Sequence, residues 1–326
     1  MHESNEYVQP SFAEAIDVSA FVKRKAKLRR QIIVLRAIVV LLVVGAIVAE
    51  GIPLTLQWQS DKELSATSDA SAQQVSDWPY PQAEDELKAA RAYNKRLAQN
   101  DQPILGEAAD PFAIEEHGTD EEAKSKSSQD KEYQALLDTG SGIMGTIRIP
   151  EISVKLPIYH GTSETALASG AGHLYGTSLP VGGKNTHAVI TGHRGLVESL
   201  MFTRLDEMRE GDFFYIEVMG ETLGYEVDSI SEIMPTDTSQ LTIRPGEDRV
   251  TLMTCTPYGV NTQRLLVSGH RVHIPQPAPN PTNLRDWRTI GIWTCAGILV
   301  IGFIVCALTT RLRHAKAFPM RHAANR

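Results

Sequence analysis

The stretch Thr251-Leu252-Met253-Thr254-Cys255-Thr256-Pro257-Tyr258-Gly259-Val260-Asn261-Thr262-Gln263-Arg264 decides how the rest of the chain is read. β-Branched and apolar residues from Val250 to Thr254 predict a strand. Pro257 and Gly259 end it, and a second strand is predicted from Arg264 to Ile274. Cys255 then stands at a strand end beside a loop, and Arg264 opens the next strand. A thiol and a guanidinium can so share one face of a sheet. A thiol needs a neighbouring base or cation to ionise near neutral pH. The best candidate base is His193 in Thr191-Gly192-His193-Arg194-Gly195, where the apolar strand His187 to Thr191 runs out against glycine. Functional side chains commonly project from such places.

The whole chain sets the frame. It has 326 residues, a formal net charge of −7 and 42% hydrophobic residues, enough for one large domain or two small ones with appendages. Basic residues concentrate at the ends, so the middle is acidic, which argues against nucleic acid as a partner. Of three cysteines, Cys295 and Cys306 lie in a C-terminal apolar run, where they read as small hydrophobes. Cys255 is alone in the remainder, so no disulfide framework exists there. It is either an inert buried thiol or a nucleophile. No cluster with metal-ligand spacing and no glycine-rich phosphate loop before a helix is present, so neither metal nor cofactor is expected.

In chain order, residues 1–30 form a polar then basic tail, with Lys23, Arg24, Lys25, Lys27, Arg29 and Arg30. The apolar run Ile32–Ala49, extended by Ile52 to Leu56, reads as an uncleaved membrane anchor over 31–56; a cleaved signal peptide is the rival. Ser/Ala/Asp-rich residues 57–79 read as a stalk. Residues 80–132 contain a helix over Pro81–Leu97, its inner face Leu87, Ala90, Tyr93, Asn94 and Leu97, followed by an irregular stretch. Residues 133–275 carry many short strands and few helices, among them helices over Ser163–Ser169 and Val197–Met208. That pattern indicates a closed or nearly closed β-barrel. A Pro-rich spacer, 276–288, precedes a second apolar run read as a membrane helix over 289–309, and a basic tail, 310–326. Basic residues outside both runs place both termini in the cytoplasm and the middle outside the cell.

Cysteine, histidine and arginine at these strand ends resemble the sortases, the cysteine transpeptidases of the Gram-positive cell surface. The TLxTC signature of that family stands as Thr251 to Cys255, and its arginine falls at Arg264. The stretch TCTPYGVNT is similar to the pilus-assembling class C sortases in particular. So are Leu156 to Thr162, Gly172 to Pro180 and Thr191 to Leu196, in the same order; Gln263 stands where many relatives have histidine. The resemblance implies a mainly β fold, an eight-stranded sortase-type barrel with short helices, an N-terminal helix and lid, and two flanking transmembrane helices. It also implies a lid at Asp110-Pro111-Phe112, which on composition alone is an ordinary Asp-Pro turn.

The chemistry expected follows from residue types. Cys255 would attack the threonine carbonyl of a peptide and form a thioacyl intermediate. His193 would move the protons. Arg264 does not lose its proton and would hydrogen-bond substrate carbonyls and the oxyanion. Arg194, one residue beyond the histidine, is a rival cation expected to point away along the strand. The resemblance implies an LPXTG-like sorting signal as first substrate and a lysine amine of another pilin as second, with the lipid bilayer as the site of action. Attachment of surface proteins or pili to the peptidoglycan cross-bridge is the alternative within the family. A non-catalytic pilin-binding membrane scaffold is the alternative outside it.

Overall fold

The computed structural model describes residues 18–100, 102, 126–274 and 287–315. The chain divides into two compact units, Met1–Leu54 and Thr55–Arg326. Helix α1, Ser19–Ser76, contributes to both. In the first unit its apolar residues Ile32, Ile33, Leu35, Leu41 and Leu42 are all exposed. Among the described residues it is the one helix long and apolar enough to cross a membrane. The lid trio Asp110, Pro111 and Phe112 lies outside the described residues.

In the second unit the chain continues through α2 (Gln82–Gln99), α3 (Lys126–Gln129), α4 (Lys131–Ala135), β1 (Ile143–Ile149) and β2 (Val154–His160). Then come α5 (Glu164–Ser169), β3 (Ala171–His173), β4 (Thr186–Thr191), β5 (Phe213–Val218) and β6 (Glu221–Ile233). β7 (Asp248–Thr256), β8 (Gln263–Val272) and α6 (Trp287–Ala315) complete it. Among the described residues α6 carries the apolar stretch Trp293–Val305.

The eight strands close into a barrel in the order β1-β2-β3-β4-β7-β8-β6-β5. The pairs β2/β3 and β4/β7 are parallel and the others antiparallel. Pro157 sits within β2, opposite Thr146. It is tolerated because β3 pairs with β2 only from Ile158 onward, so the strand is still an edge on that side at the proline.

Alternation along the strands makes two cores. Leu252, Leu265, Val267, Ala188 and Ile190 belong to the main core with Ile147, Ile158, Phe214 and Tyr225. Met253, Leu266 and Val189, on the opposite face, join Leu174, Ile233 and Leu241 in a smaller cluster on the outside of the barrel. Met253 and Leu266 are cross-strand partners, and two residues further along the same face stand Cys255 and Arg264.

Three expectations are corrected. The Ser/Ala/Asp-rich stretch is no stalk: α1 runs through it and buries Leu64, Ser68, Ser71 and Val75 at helical spacing. Small side chains bring that helix close, and Ser71 Oγ lies 2.8 Å from Thr139 Oγ1. Val197–Met208 is not a helix. The Phe202 amide donates to the His193 carbonyl (3.0 Å), Met201 has φ 42°, and only Leu205–Glu207 forms a 3₁₀ turn. Met201, Phe202, Leu205 and Met208 still reach the core, which is why the spacing resembles a helix. The glycine-rich stretch 170–174, which reads as a loop in the sequence, contains β3. Helix α2 packs on the domain as expected, burying Leu87, Ala90, Asn94 and Leu97.

Candidate active site

Three strands bring the predicted groups together. Cys255 on β7 pairs directly with Arg264 on β8. Strand β4 runs parallel to β7 with Thr191 beside Met253, and the Gly192 amide extends that ladder to the Met253 carbonyl (3.1 Å). Continuing the register by two residues sets His193 beside Cys255 on the outer face. Thr254 Oγ1 donates to the Gly192 carbonyl (2.7 Å) and holds this end of the ladder shut. Gly192 is needed here because a Cβ would stand 2.8 Å from the Phe202 ring.

Cys255, His193 and Arg264 are all buried. Leu167 of α5 packs against Cys255. From the same helix the Glu164 carboxylate comes within 3.9 Å of His193 Nε2. Ser163 caps α5 by accepting from the Ala166 amide, as the sequence suggests. One Arg264 nitrogen donates to the carbonyls of Asn261 and Gln263, both at 2.9 Å. Arg264 so closes its own loop. A buried guanidinium across from a thiol favours the thiolate and can bind an oxyanion or carbonyl.

The other described histidines sort by their partners. His173 Nε2 meets the Ser178 carbonyl (2.8 Å), so Nδ1 faces Tyr133 Oη (2.9 Å) as an acceptor. His187 Nδ1 meets the Thr242 carbonyl (2.9 Å) and Nε2 meets Thr251 Oγ1 (2.7 Å). Burial pushes both rings down to about 4, so both stay neutral and structural. His160 bridges the carbonyls of Gly142 and Leu136, and His270 lies 3.1 Å from Asp228. His193 is the histidine that the β4/β7 ladder carries to Cys255.

Arg194 packs against the end of β7. One of its terminal nitrogens donates to the Cys255 carbonyl (3.3 Å) and to Thr256 Oγ1 (3.2 Å), and the other to Asp206 (2.5 Å). Its guanidinium also lies 5.8 Å from the Tyr258 ring centre. Thr256 follows Cys255 in β7, so Arg194 lies on the face opposite the thiol, and the chain turns just beyond it through Gly195, φ 86°. Glu164 was legible only as a helix-start residue after Ser163. Among the described residues no group of three or more His, Cys, Asp and Glu side chains gathers as a metal site.

Comparison with known proteins agrees with this geometry. The Sortase domain model matches residues 147–272. The structure is similar to sortase C-1 from Actinomyces oris, at 45% identity and TM-score 0.51, covering 59% of this chain and 99% of that one. It is also similar to sortase C from Streptococcus pneumoniae, whose structure was described for its pilin substrate specificity, at 38% identity and TM-score 0.55, covering 65% and 100%. Among curated proteins, sortase D of Bacillus subtilis is 30% identical over 152 residues, 46% of this chain and 74% of that protein. Matches to other curated sortases span between 51% and 85% of those proteins, about half in the lowest case. The chain belongs to the sortase family of cysteine transpeptidases.

Proposed function

We propose that this chain is a membrane-anchored pilin sortase that cleaves an LPXTG-like signal after threonine and passes the acyl group to a lysine amine of another pilin subunit. What supports the reading is the cross-strand pairing of Cys255 with Arg264, with the β4/β7 ladder ending at Thr191, two residues before His193. The class C sortases among the similar structures support the pilin as substrate.

The Cys255 thiolate attacks the threonine carbonyl while Arg264 stabilises the oxyanion. The C–N bond breaks, the His193 imidazolium gives its proton to the leaving amine, and a thioester remains. Neutral His193 then serves as base for the acceptor amine. If Asp110, Pro111 and Phe112 act as the lid that the resemblance implies, Asp110→Ala with Phe112→Ala should speed thiol labelling of Cys255. Residues 31–56 and 289–309 are the two membrane helices, with both termini cytoplasmic and the barrel outside the cell, the direction favoured by the basic residues at both ends.

The test is incubation of the Asp110→Ala, Phe112→Ala chain with an LPXTG peptide, followed by mass spectrometry. An adduct on Cys255 that is absent in Cys255→Ala and transfers to an added amine is expected. A freely labelled thiol with no adduct would remove the sorting-signal assignment.

A further inference from the structure

The second half-reaction sets a requirement that Cys255, His193 and Arg264 do not meet. A lysine acceptor arrives as an ammonium ion. The three groups are buried, Arg264 is a fixed cation, and His193 takes up positive charge during the cycle. A cation approaching them is repelled unless a carboxylate lies on its path. Helix α5 supplies one. Leu167 packs on Cys255, and Glu164, on the same short helix, sets its carboxylate 3.9 Å from His193 Nε2. The His193 side chain is 5% exposed and that of Glu164 is 51% exposed. The carboxylate therefore stands between solvent and the imidazole.

Building on the transpeptidase reading above, we infer that Glu164 is the acceptor-binding residue, its carboxylate holding the incoming lysine ammonium beside His193 and the Cys255 thioester. On becoming an amide N–H the ammonium loses two protons. One leaves to solvent past the half-exposed carboxylate, and His193 takes the other as nitrogen attacks. The new C–N bond forms, the C–S bond breaks, and the electron pair departs on the Cys255 sulfur. A thiolate beside an imidazolium results, ready for the next signal.

A purely local role for Glu164 also exists, since a carboxylate in the first turn of α5 complements the helix N–H groups. That role predicts lost stability and no change in acceptor choice. An effect on His193 orientation would slow every acceptor alike. Acceptor binding predicts discrimination by charge.

The experiment uses the full chain with Asp110→Ala and Phe112→Ala, loaded as thioester with an LPXTG peptide. It is offered either a lysine derivative, charged at neutral pH, or hydroxylamine, which is uncharged. The ratio of kcat/KM for lysine over hydroxylamine should fall about fivefold in Glu164→Gln, as expected for one partly exposed ion pair. Glu164→Asp should restore most of it. A ratio within twofold of the parent chain in Glu164→Gln overturns the assignment. A parent chain that forms no thioester overturns the transpeptidase reading, and the acceptor role with it, at an earlier and separate step.

Discussion

Cys255 and Arg264 are direct cross-strand partners on β7 and β8, so sheet register rather than loop conformation sets the thiol against the guanidinium. Partners in an antiparallel ladder project to the same face, with Cβ atoms roughly 5 Å apart. Moving the arginine by one residue puts it on the other face. The double substitution Gln263→Arg, Arg264→Gln should therefore be as inactive as Arg264→Gln alone, with kcat down roughly 10²- to 10³-fold. Peptide cleavage assays decide this; activity restored by the swap would place the determinant in the loop.

Arg194 holds the backbone carbonyl of Cys255, the proposed nucleophile. Lysine cannot reproduce a fork that reaches Cys255, Thr256 and Asp206 together. Arg194→Lys should lower kcat roughly tenfold to a hundredfold through misplacement of Cys255, with KM little changed. Asp206→Asn should add little on top of it, because both act through one network. A rise in KM at constant kcat would assign Arg194 to substrate binding.

The buried histidines make stability depend on pH. Unfolded, His173 and His187 bind protons below about 6.5. Folded, burial holds them neutral down to about 4. The unfolded state therefore binds more protons between these values. Stability is complete above about pH 6.5 and falls as pH drops, by about 3 kcal/mol per histidine near pH 4. Urea melts at pH 7 and pH 4.5 test this. His173→Gln should start less stable and lose less on acidification; an equal slope would shift the acid sensitivity to other groups.

Asn94 fixes α2 to the barrel through both polar atoms of its side chain. Its Nδ2 donates to the Leu179 carbonyl (2.9 Å), and its Oδ1 accepts from the Leu179 amide (2.7 Å). Asn94→Leu leaves both buried backbone groups without these partners, at a cost of about 2–5 kcal/mol. Thermal melts should show the loss. A destabilisation below about 1 kcal/mol would mean that water replaces the amide.

Most of the barrel was legible because its strands depend on local pattern, and the pairing of Cys255 with Arg264 follows from where two of those strands end and begin. Alternation in Val250 to Thr254 marks β7, and Pro257 with Gly259 fixes where the thiol side of the loop begins. What was not legible depends on chain paths. Ser68 and Ser71 read as spacer residues, yet their small size is what seats α1 against Thr139. Met201 and Leu205 kept helical spacing while the Phe202 amide bonded to His193 and the neighbouring amides made only three-residue turns.

Closure of the barrel carries a consequence for how any polypeptide can be grasped. An open sheet edge lets a foreign segment bind through backbone hydrogen bonds almost regardless of its side chains. Here the order β1-β2-β3-β4-β7-β8-β6-β5 returns on itself, and the short β3 is prolonged by the Leu174 amide donating to Val189 and the Ser178 amide to His187. No extended tail can be zipped on as a ninth strand. A guest must be read by its side chains at the barrel's outer face, so recognition there turns on residue identity and not on backbone pairing.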